Sequence, residues 1–429
     1  MLDIHFIRRN HDLVKRNNTI RKCAVDVDVL LALDMKNRSL IAEISALRAQ
    51  VNEISKGGKP SEGDILKAKD MKKTIEGAEA DRLETEKMLY AMLVQLPNIT
   101  HESVPIGADE SGNVVIRTWG EVPKFAFEPK DHAELGSALD LIDVERGSKV
   151  SGSRFWYIKN DLVFLEFAII QYVLDFFAKK QGFIPILPPV IVREPALFGT
   201  GFFPADKHEV YKLENYVEGV EDHNNMYLIG TAEVALASYH GGEVVPIGPG
   251  NPKKYIGFST CFRREAGTYS KDMKGIFRGH QFDKLELFIF CIEEDSWEMH
   301  ETLLAISEKF WQSLSIPYQV LNMCSGDIGA PNAKKYDIEG WFPGQKRYRE
   351  LGSCSNDTDF QARRLNIKYQ NKEGNKKFVH TLNHTACALG RAMIAIMENY
   401  QNEDGSISIP DVLVPYMSGK KRIDKSVVA

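Results

Sequence analysis

Leu40, Ile44, Leu47, Val51 and Ile54 recur at alternating spacings of four and three. After the breakers Gly57, Gly58, Pro60 and Gly63, a similar series resumes through Met71, Ile75, Ala78, Leu89, Met92 and Leu96, interrupted by Arg82 and Thr85. Two such seams separated by a tight break bury their apolar stripes by folding back on each other. The spacing therefore predicts an antiparallel two-helix coiled coil within a helical region spanning residues 1 to about 100. At 1.5 Å per residue, helices of roughly 25 to 30 residues give an arm about 40 Å long, and Pro97 is expected to end the second helix. Between Leu31 and Thr100 there are 11 Lys plus Arg and 11 Asp plus Glu, so the arm is neutral. Any grip on phosphates must come from a subset such as Arg38, Arg48, Lys56, Lys59, Lys69, Lys72 and Lys73 gathered on one face. An oligomerisation or spacer device is the competing reading of the arm.

Beyond this region the chain changes character. Residues from Asn98 to Pro129 read as Gly/Pro-spaced linker and lead-in. Helix-like stretches at Asn160 to Lys180 and Glu294 to Leu314 then alternate with short β-branched and aromatic runs, which predicts an α+β domain around a mostly antiparallel sheet. The expected division is a helical arm over 1–110 and a second domain over 111–429. With no periodic pattern around Lys420-Lys421-Arg422, the last dozen residues are expected to be a loose tail. A net charge of -5 argues against indiscriminate coating of nucleic acid but not against a local basic patch. The six cysteines contain no C-x-x-C pair, which disfavours a disulfide framework and fits a reducing cytosol. No run approaches the ~18 apolar residues of a membrane span, so a cytoplasmic location is expected.

The most informative segment is Phe258-Ser-Thr-Cys-Phe262-Arg263-Arg264-Glu265-Ala-Gly, followed by Arg278-Gly279-His-Gln-Phe282-Asp-Lys284-Leu-Glu286. It reads as two strands joined by a long polar loop from Thr268 to Gly279. Residues two apart share a strand face, so Phe282, Lys284 and Glu286 point together, as do Arg263 and Glu265. With Glu265 opposite Phe282, Arg263 falls opposite Lys284 and Cys261 opposite Glu286. One face then carries an acidic and aromatic end, a cationic middle and a second acidic end. That order suits an adenylate joined to an amino acid, and Phe282 to Glu286 spans about 13 Å at ~3.4 Å per residue. A solvated charged hairpin is the plain alternative.

Three further segments carry chemistry. Tyr227 to Ala237 reads as a strand entering a helix at Thr231, where Thr231 and Glu233 serve either as a helix cap or as contacts for a substrate ammonium. In Tyr348-Arg-Glu350-Leu351-Gly352-Ser353, alternation places Glu350 on one strand face, and Gly352 permits close approach of another group. A carboxylate and a hydroxyl suit Mg²⁺, although an exposed strand Glu has the same pattern. In Thr381 to Gln401, Leu389, Met393, Ile396, Met397 and Tyr400 mark an apolar helix stripe, with Arg391 near the helix start where anions are favoured. His380, His384 and Cys387 align only on a single helix, and the stretch looks extended, so a transition-metal site is not expected. No P-loop or Rossmann fingerprint stands in a suitable context.

These segments resemble the class II aminoacyl-tRNA synthetases, and the wording is similar to the seryl-tRNA synthetases of bacterial type. The hairpin looks like their motif 2, and Thr381 to Pro415 like motif 3. Gln181-Gly-Phe-Ile-Pro185-Ile-Leu-Pro188-Pro189 looks like motif 1, and the arm precedes them. Two departures stand out. Asn383-His384-Thr385 replaces the usual Asn-Gly-Ser, with Thr385 keeping a hydroxyl. Phe202-Phe203-Pro204 replaces Gln-Leu-Pro after Leu197 to Gly201.

The resemblance implies activation of serine with ATP to seryl-adenylate, then transfer to tRNA(Ser), and leaves open whether tRNA(Sec) is also an acceptor. It implies catalytic contacts from Arg263, Glu350 and Arg391. Serine would be held by Thr231, Ala232, Glu233, Glu286 and Thr385. ATP would be held by Arg263, Arg264, Glu265, Gly279, Phe282, Glu350, Leu351, Gly352, Ser353 and Arg391, with Mg²⁺ at Glu350 and Ser353 and no zinc. Within that set, Arg263 meets the α-phosphate and the serine carboxylate, Glu265 and Phe282 the adenine, and Arg391 the γ-phosphate. A homodimer through motif 1 and no membrane association are implied. Two alternatives are a ligase acylating a carrier protein, whose relatives lack the arm, and a non-catalytic RNA-binding or scaffolding paralogue.

Overall fold

A computed structural model describes residues 1–56, 61–214, 225–266 and 274–425. The Gly57 to Pro60 break and the first part of the loop expected from Thr268 to Gly279 lie outside the described residues, as does Lys59. The chain forms two units, Met1–Ile99 and Thr100–Ala429.

The first unit is built on helices α1 (Val27–Lys56) and α2 (Glu62–Leu93). Ser61 caps α2 in a reciprocal box with Asp64, which satisfies two amides at the helix start. Ile44, Ile75 and Ala78 form the buried centre of the seam, with Leu40, Leu47 and Val51 packed beside them. A larger cluster of Leu2, Ile7, Val14, Val27, Leu30, Leu89 and Leu96 closes the other end. Of the basic subset, Arg48 is ion-paired to Glu79 across the two helices, and Arg38 to Asp34 at 3.2 Å.

The second unit is an eight-stranded sheet. Its strands are β1 (Val114–Trp119), β2 (Ile184–Ile186), β3 (Lys253–Phe262), β4 (Gln281–Cys291), β5 (Tyr318–Asn322), β6 (Lys334–Phe342), β7 (Arg347–Thr358) and β8 (His380–Ala388). The spatial order is β1-β5-β6-β7-β8-β4-β3-β2, antiparallel throughout except for the parallel pair β2 and β3. Helices α3 (His132–Ala138), α4 (Asp161–Leu174), α5 (Glu233–Ser238), α6 (Ser296–Ser313), α7 (Phe360–Leu365) and α8 (Leu389–Asn399) pack around it. The main core gathers Leu165, Ile169, Phe177, Leu285, Leu287, Trp311, Ile338, Leu382, Met393 and Ile396. In α8 the apolar stripe faces this core, which leaves Arg391 at the helix start free to approach the sheet's other features.

Three expectations change. The stretch read as a linker contributes the outer strand β1, because its β-branched run Val114-Val115-Ile116 completes the ladder of β5. The supposed loose tail is tied down through Ile423, which is fully buried and paired with Ile407. The third concerns β3 and β4. Cys261, not Glu265, lies opposite Phe282, Ser259 opposite Lys284, and Gly257 opposite Glu286. Strand β3 ends at Phe262, and Glu265 takes a left-handed backbone at φ 50°, so neither Arg263 nor Glu265 belongs to the ladder. Apolar pairs Ile256–Leu287 and Phe258–Leu285 settle the register. The displacement is an even number of residues, so every side chain of β4 keeps its expected face.

Candidate active site

Phe282, Lys284 and Glu286 stand in a row on β4 and line two adjoining cavities. The first is walled by Arg263, Glu265, Ile276, Phe277, Arg278, Gly279, Phe282, Leu351, Ala388, Gly390 and Arg391. The second is walled by Thr231, Glu233, Asp206, Glu286, Asn332, Lys335, Ser353, Ser355, Asn383 and the Gly201-Phe202 turn. Arg263, Lys284, Glu350 and Thr385 line both.

The first cavity is cationic and aromatic. The Arg263 guanidinium sits 5.3 Å from the Phe282 ring centre, and its Nε donates to Gly230 O at 3.1 Å. Because Arg263 leaves the strand, its main chain pairs with His280 instead, with its N–H donating to His280 O at 3.0 Å. Glu265 is buried and paired at 2.7 Å with Arg278. Phe277 supports two guanidinium groups, Arg349 at 3.7 Å and Arg391 at 4.8 Å from its ring centre. Gly279 packs so closely on Trp156 that a Cβ would meet the ring at 2.1 Å.

A β-bulge connects the cavities. Glu339 pairs with Glu350 and Ile338 with Gly352, so Leu351 is the extra residue. The bulge lets Glu350 accept from Arg391 Nη1 at 3.0 Å and from Ser353 Oγ at 3.2 Å. Its recessed position alone would push the Glu350 carboxyl up, but the charges of Arg391 and Lys335 outweigh this and hold it well below the usual range. Gly352 is required because a Cβ there would stand 2.7 Å from Thr385 O.

The second cavity is rich in carboxylates. Glu286 is buried and its Oε2 lies 2.5 Å from Lys284 Nζ and 3.4 Å from the Thr385 hydroxyl. The Lys284 ammonium therefore already occupies the carboxylate of Glu286. Glu233 accepts from Gln361 Nε2 at 2.8 Å and Asn383 Nδ2 at 3.2 Å. Its pKa is pushed up to about 8 by burial and then by the charges of Asp357 and Glu286. Asp357 rises to about 7 through burial, against hydrogen bonds from Asn332 and Asn383. The Thr231 hydroxyl accepts the Glu233 N–H at 3.2 Å just before α5 and also faces the cavity, while the N-cap position itself is Ala232.

Not every sequence candidate reaches a cavity wall. Arg264 lines neither, and its amide donates to Glu209 O at 2.9 Å. Ala232 is fully buried behind Glu233. His384 points away, its Nδ1 bonded to Ser353 O at 2.7 Å, and burial lowers its pKa to about 3. It thus anchors β8 to β7 as a neutral ring. Among the described residues no cluster of three or more His, Cys, Asp or Glu is placed to hold a metal ion.

Sequence reasoning did not single out Lys335, Asn332, Asp357, Gln361 or Phe277 as site residues. Lys284 was legible from the alternation of β4, but its pairing with Glu286 within one strand face was not drawn. Asn383 stood beside Thr385 in the quoted segment and signalled itself only by that adjacency.

Comparison with known proteins follows the same division. The family model of the seryl-tRNA synthetase N-terminal domain matches residues 1–100, and that of the class II tRNA synthetase core domain (G, H, P, S and T) matches 211–400. The serine–tRNA ligase of Dictyoglomus thermophilum is 46% identical, over 97% of this chain and 98% of that protein. The crystal structure of seryl-tRNA synthetase from Pyrococcus horikoshii complexed with ATP superposes with a TM-score of 0.91 at 42% identity, covering 99% of this chain and 100% of that one. The cytoplasmic serine–tRNA ligase from Naegleria fowleri in complex with AMP gives 0.88 at 34% identity, with 99% of each chain covered.

Proposed function

This chain belongs to the seryl-tRNA synthetase family, and from that premise we propose how its cleft joins serine to tRNA at the expense of ATP. The observation that carries the reading is the shared wall of Arg263, Lys284, Glu350 and Thr385 between a cationic, aromatic cavity and a carboxylate-lined one. A seryl-adenylate has the same division, with a purine and phosphates on one side of a mixed anhydride and an ammonium and hydroxyl on the other.

In the first step a serine carboxylate oxygen attacks the α-phosphorus and diphosphate leaves. Arg263 lies where both anions meet, and its contacts with Gly230 O and Phe282 hold it in place before substrate arrives. Phe282 and Glu265 take the purine, and Arg391, braced on Phe277 and Glu350, takes the far phosphate. Glu286, Glu233, Thr231 and Thr385 share the ammonium and hydroxyl of serine. In the second step a hydroxyl of the tRNA 3′ end attacks the acyl carbon and AMP leaves. No enzyme nucleophile is required.

Glu350 and Ser353 fit Mg²⁺, since one oxygen is held ionised and the other lies 3.2 Å from it. Bound there, the ion would supply neutralisation of phosphate charge. A homodimer is supported by exposed Phe164 and Phe167 on α4, and by Ile184 and Leu187 at and beside the edge strand β2. No helix among the described residues is long and apolar enough to cross a membrane. We assign the arm to tRNA(Ser) and the sheet unit to the chemistry, with the cytoplasm as the site of reaction.

The test is serine-dependent ATP–pyrophosphate exchange, followed by charging of a tRNA with a long variable arm, with and without residues 30–100. Deletion should leave exchange intact and abolish charging. Normal charging by the deleted chain would overturn the role of the arm, and absent exchange in the full chain would overturn the whole reading.

A further inference from the structure

Glu398 is fully buried in the last turn of α8, where the helix dipole disfavours a negative charge. A carboxylate is stable there only if it is thoroughly solvated by donors. Four serve it. His132 gives its backbone N–H and its Nδ1 to Glu398 Oε1, both at 3.1 Å, and Gln345 Nε2 approaches the same oxygen at 3.4 Å. The Gly344 N–H donates to Oε2 at 2.9 Å. With the proton of His132 on Nδ1, its Nε2 becomes an acceptor, and it takes the Ile276 N–H at 3.3 Å. Gly275 lies against the same ring atom, with φ 67° and room for no Cβ, which would stand 2.0 Å from Nε2. Gln401 fixes the approach to His132 by clasping Lys130 through both its N–H and its C=O.

Ile276 and Phe277 line the nucleotide cavity directly after this contact. The Ile276 carbonyl rests on Gly390 at the start of α8, where a Cβ would lie 3.0 Å from it. Phe277 then carries the guanidinium groups of Arg349 and Arg391. We propose that His132 and Glu398 form a positioning pair that ties the far end of α8 to Ile276 and thereby sets Phe277 beneath Arg349 and Arg391, the second of which is assigned to the far phosphate of ATP. The pair touches no substrate. This inference rests on the ATP site assigned above.

The experiment measures the ATP and serine KM values in pyrophosphate exchange for the full chain and three variants. His132→Gln keeps an acceptor near the Nε2 position, whereas His132→Asn keeps only a donor near Glu398. His132→Asn should raise the ATP KM about tenfold, as one lost buried hydrogen bond would, and leave the serine KM unchanged. His132→Gln should restore most of the ATP KM. Gly275→Ala, which disturbs the contact from the loop side, should reproduce the ATP-specific rise even if His132→Asn folds poorly. Equal KM values in the two His132 variants, or ATP and serine KM rising together, would overturn the pair as a positioning device. Absent exchange in the unaltered chain would count against the assigned reaction instead. In that case, calorimetric titration of the variants with ATP still decides this contact, a His132→Asn affinity equal to that of the unaltered chain refuting it.

Discussion

The two cavities proposed to take nucleotide and amino acid share four side chains, yet their polar groups are held in opposite ways. On the nucleotide side the arginines rest on aromatic rings, Arg263 on Phe282 and Arg391 with Arg349 on Phe277. Ring faces fix the direction of these guanidinium groups, and Arg391 is held further by its ion pair with Glu350. In the carboxylate-lined cavity Glu286 is already matched by Lys284, Glu233 is raised by burial and then by the charges of Asp357 and Glu286, and Asp357 is raised by burial. That cavity must exchange something, an internal ammonium or a proton, for its substrate. One half of the cleft is preorganised by stacking, and the other is poised by crowded negative charge.

Arg263 is the group that belongs to both halves, so its removal is the strongest test of the division. Arg263→Ala should slow serine-dependent pyrophosphate exchange on the order of 10²- to 10³-fold, the scale of a lost preorganised contact to developing charge. The deficit should appear in kcat/KM for both substrates. A loss confined to one substrate would place Arg263 in a single cavity and break the comparison.

A smaller and more selective effect is expected from Glu286→Gln, which keeps the shape and deletes the charge. The serine KM should rise roughly 30-fold, as for a lost charged hydrogen bond, with the ATP KM unaltered. Equal changes in both would mean that the two cavities are not electrostatically independent.

The smallest expected effect is on pH dependence, and it sharpens the contrast. Below about pH 8 the empty amino-acid cavity retains a proton on Glu233 that an entering ammonium must expel. The serine KM should therefore fall as pH rises from 6.5 towards 8, by up to about tenfold per unit if a single proton is exchanged. Glu350 stays ionised across this range, so the ATP KM should be flat. Steady-state exchange at constant ionic strength reads both, and a flat serine profile would remove the crowded-carboxylate account.

Much of this was visible in the chain itself wherever a local rule applied. Heptad spacing gave the seam of Ile44, Ile75 and Ala78, because a helix face is fixed by residues three and four apart. Strand alternation put Phe282, Lys284 and Glu286 on one face. The pairing of β3 with β4 was not legible, since a displacement by four residues preserves every face and leaves the alternation silent. The contacts of Glu233 were equally hidden. Gln361 lies 128 residues away and Asn383 150 residues away, and neither carries any local mark of its partner.

The order of residues along the chain determined the kinds of group available and which of them share a face, because periodicity acts over one or two turns or strand steps. Only the assembled fold decided where Arg263 would stand and how high Glu233 would hold its proton. Those properties depend on burial and on charges contributed by distant segments, and no short stretch of sequence contains them.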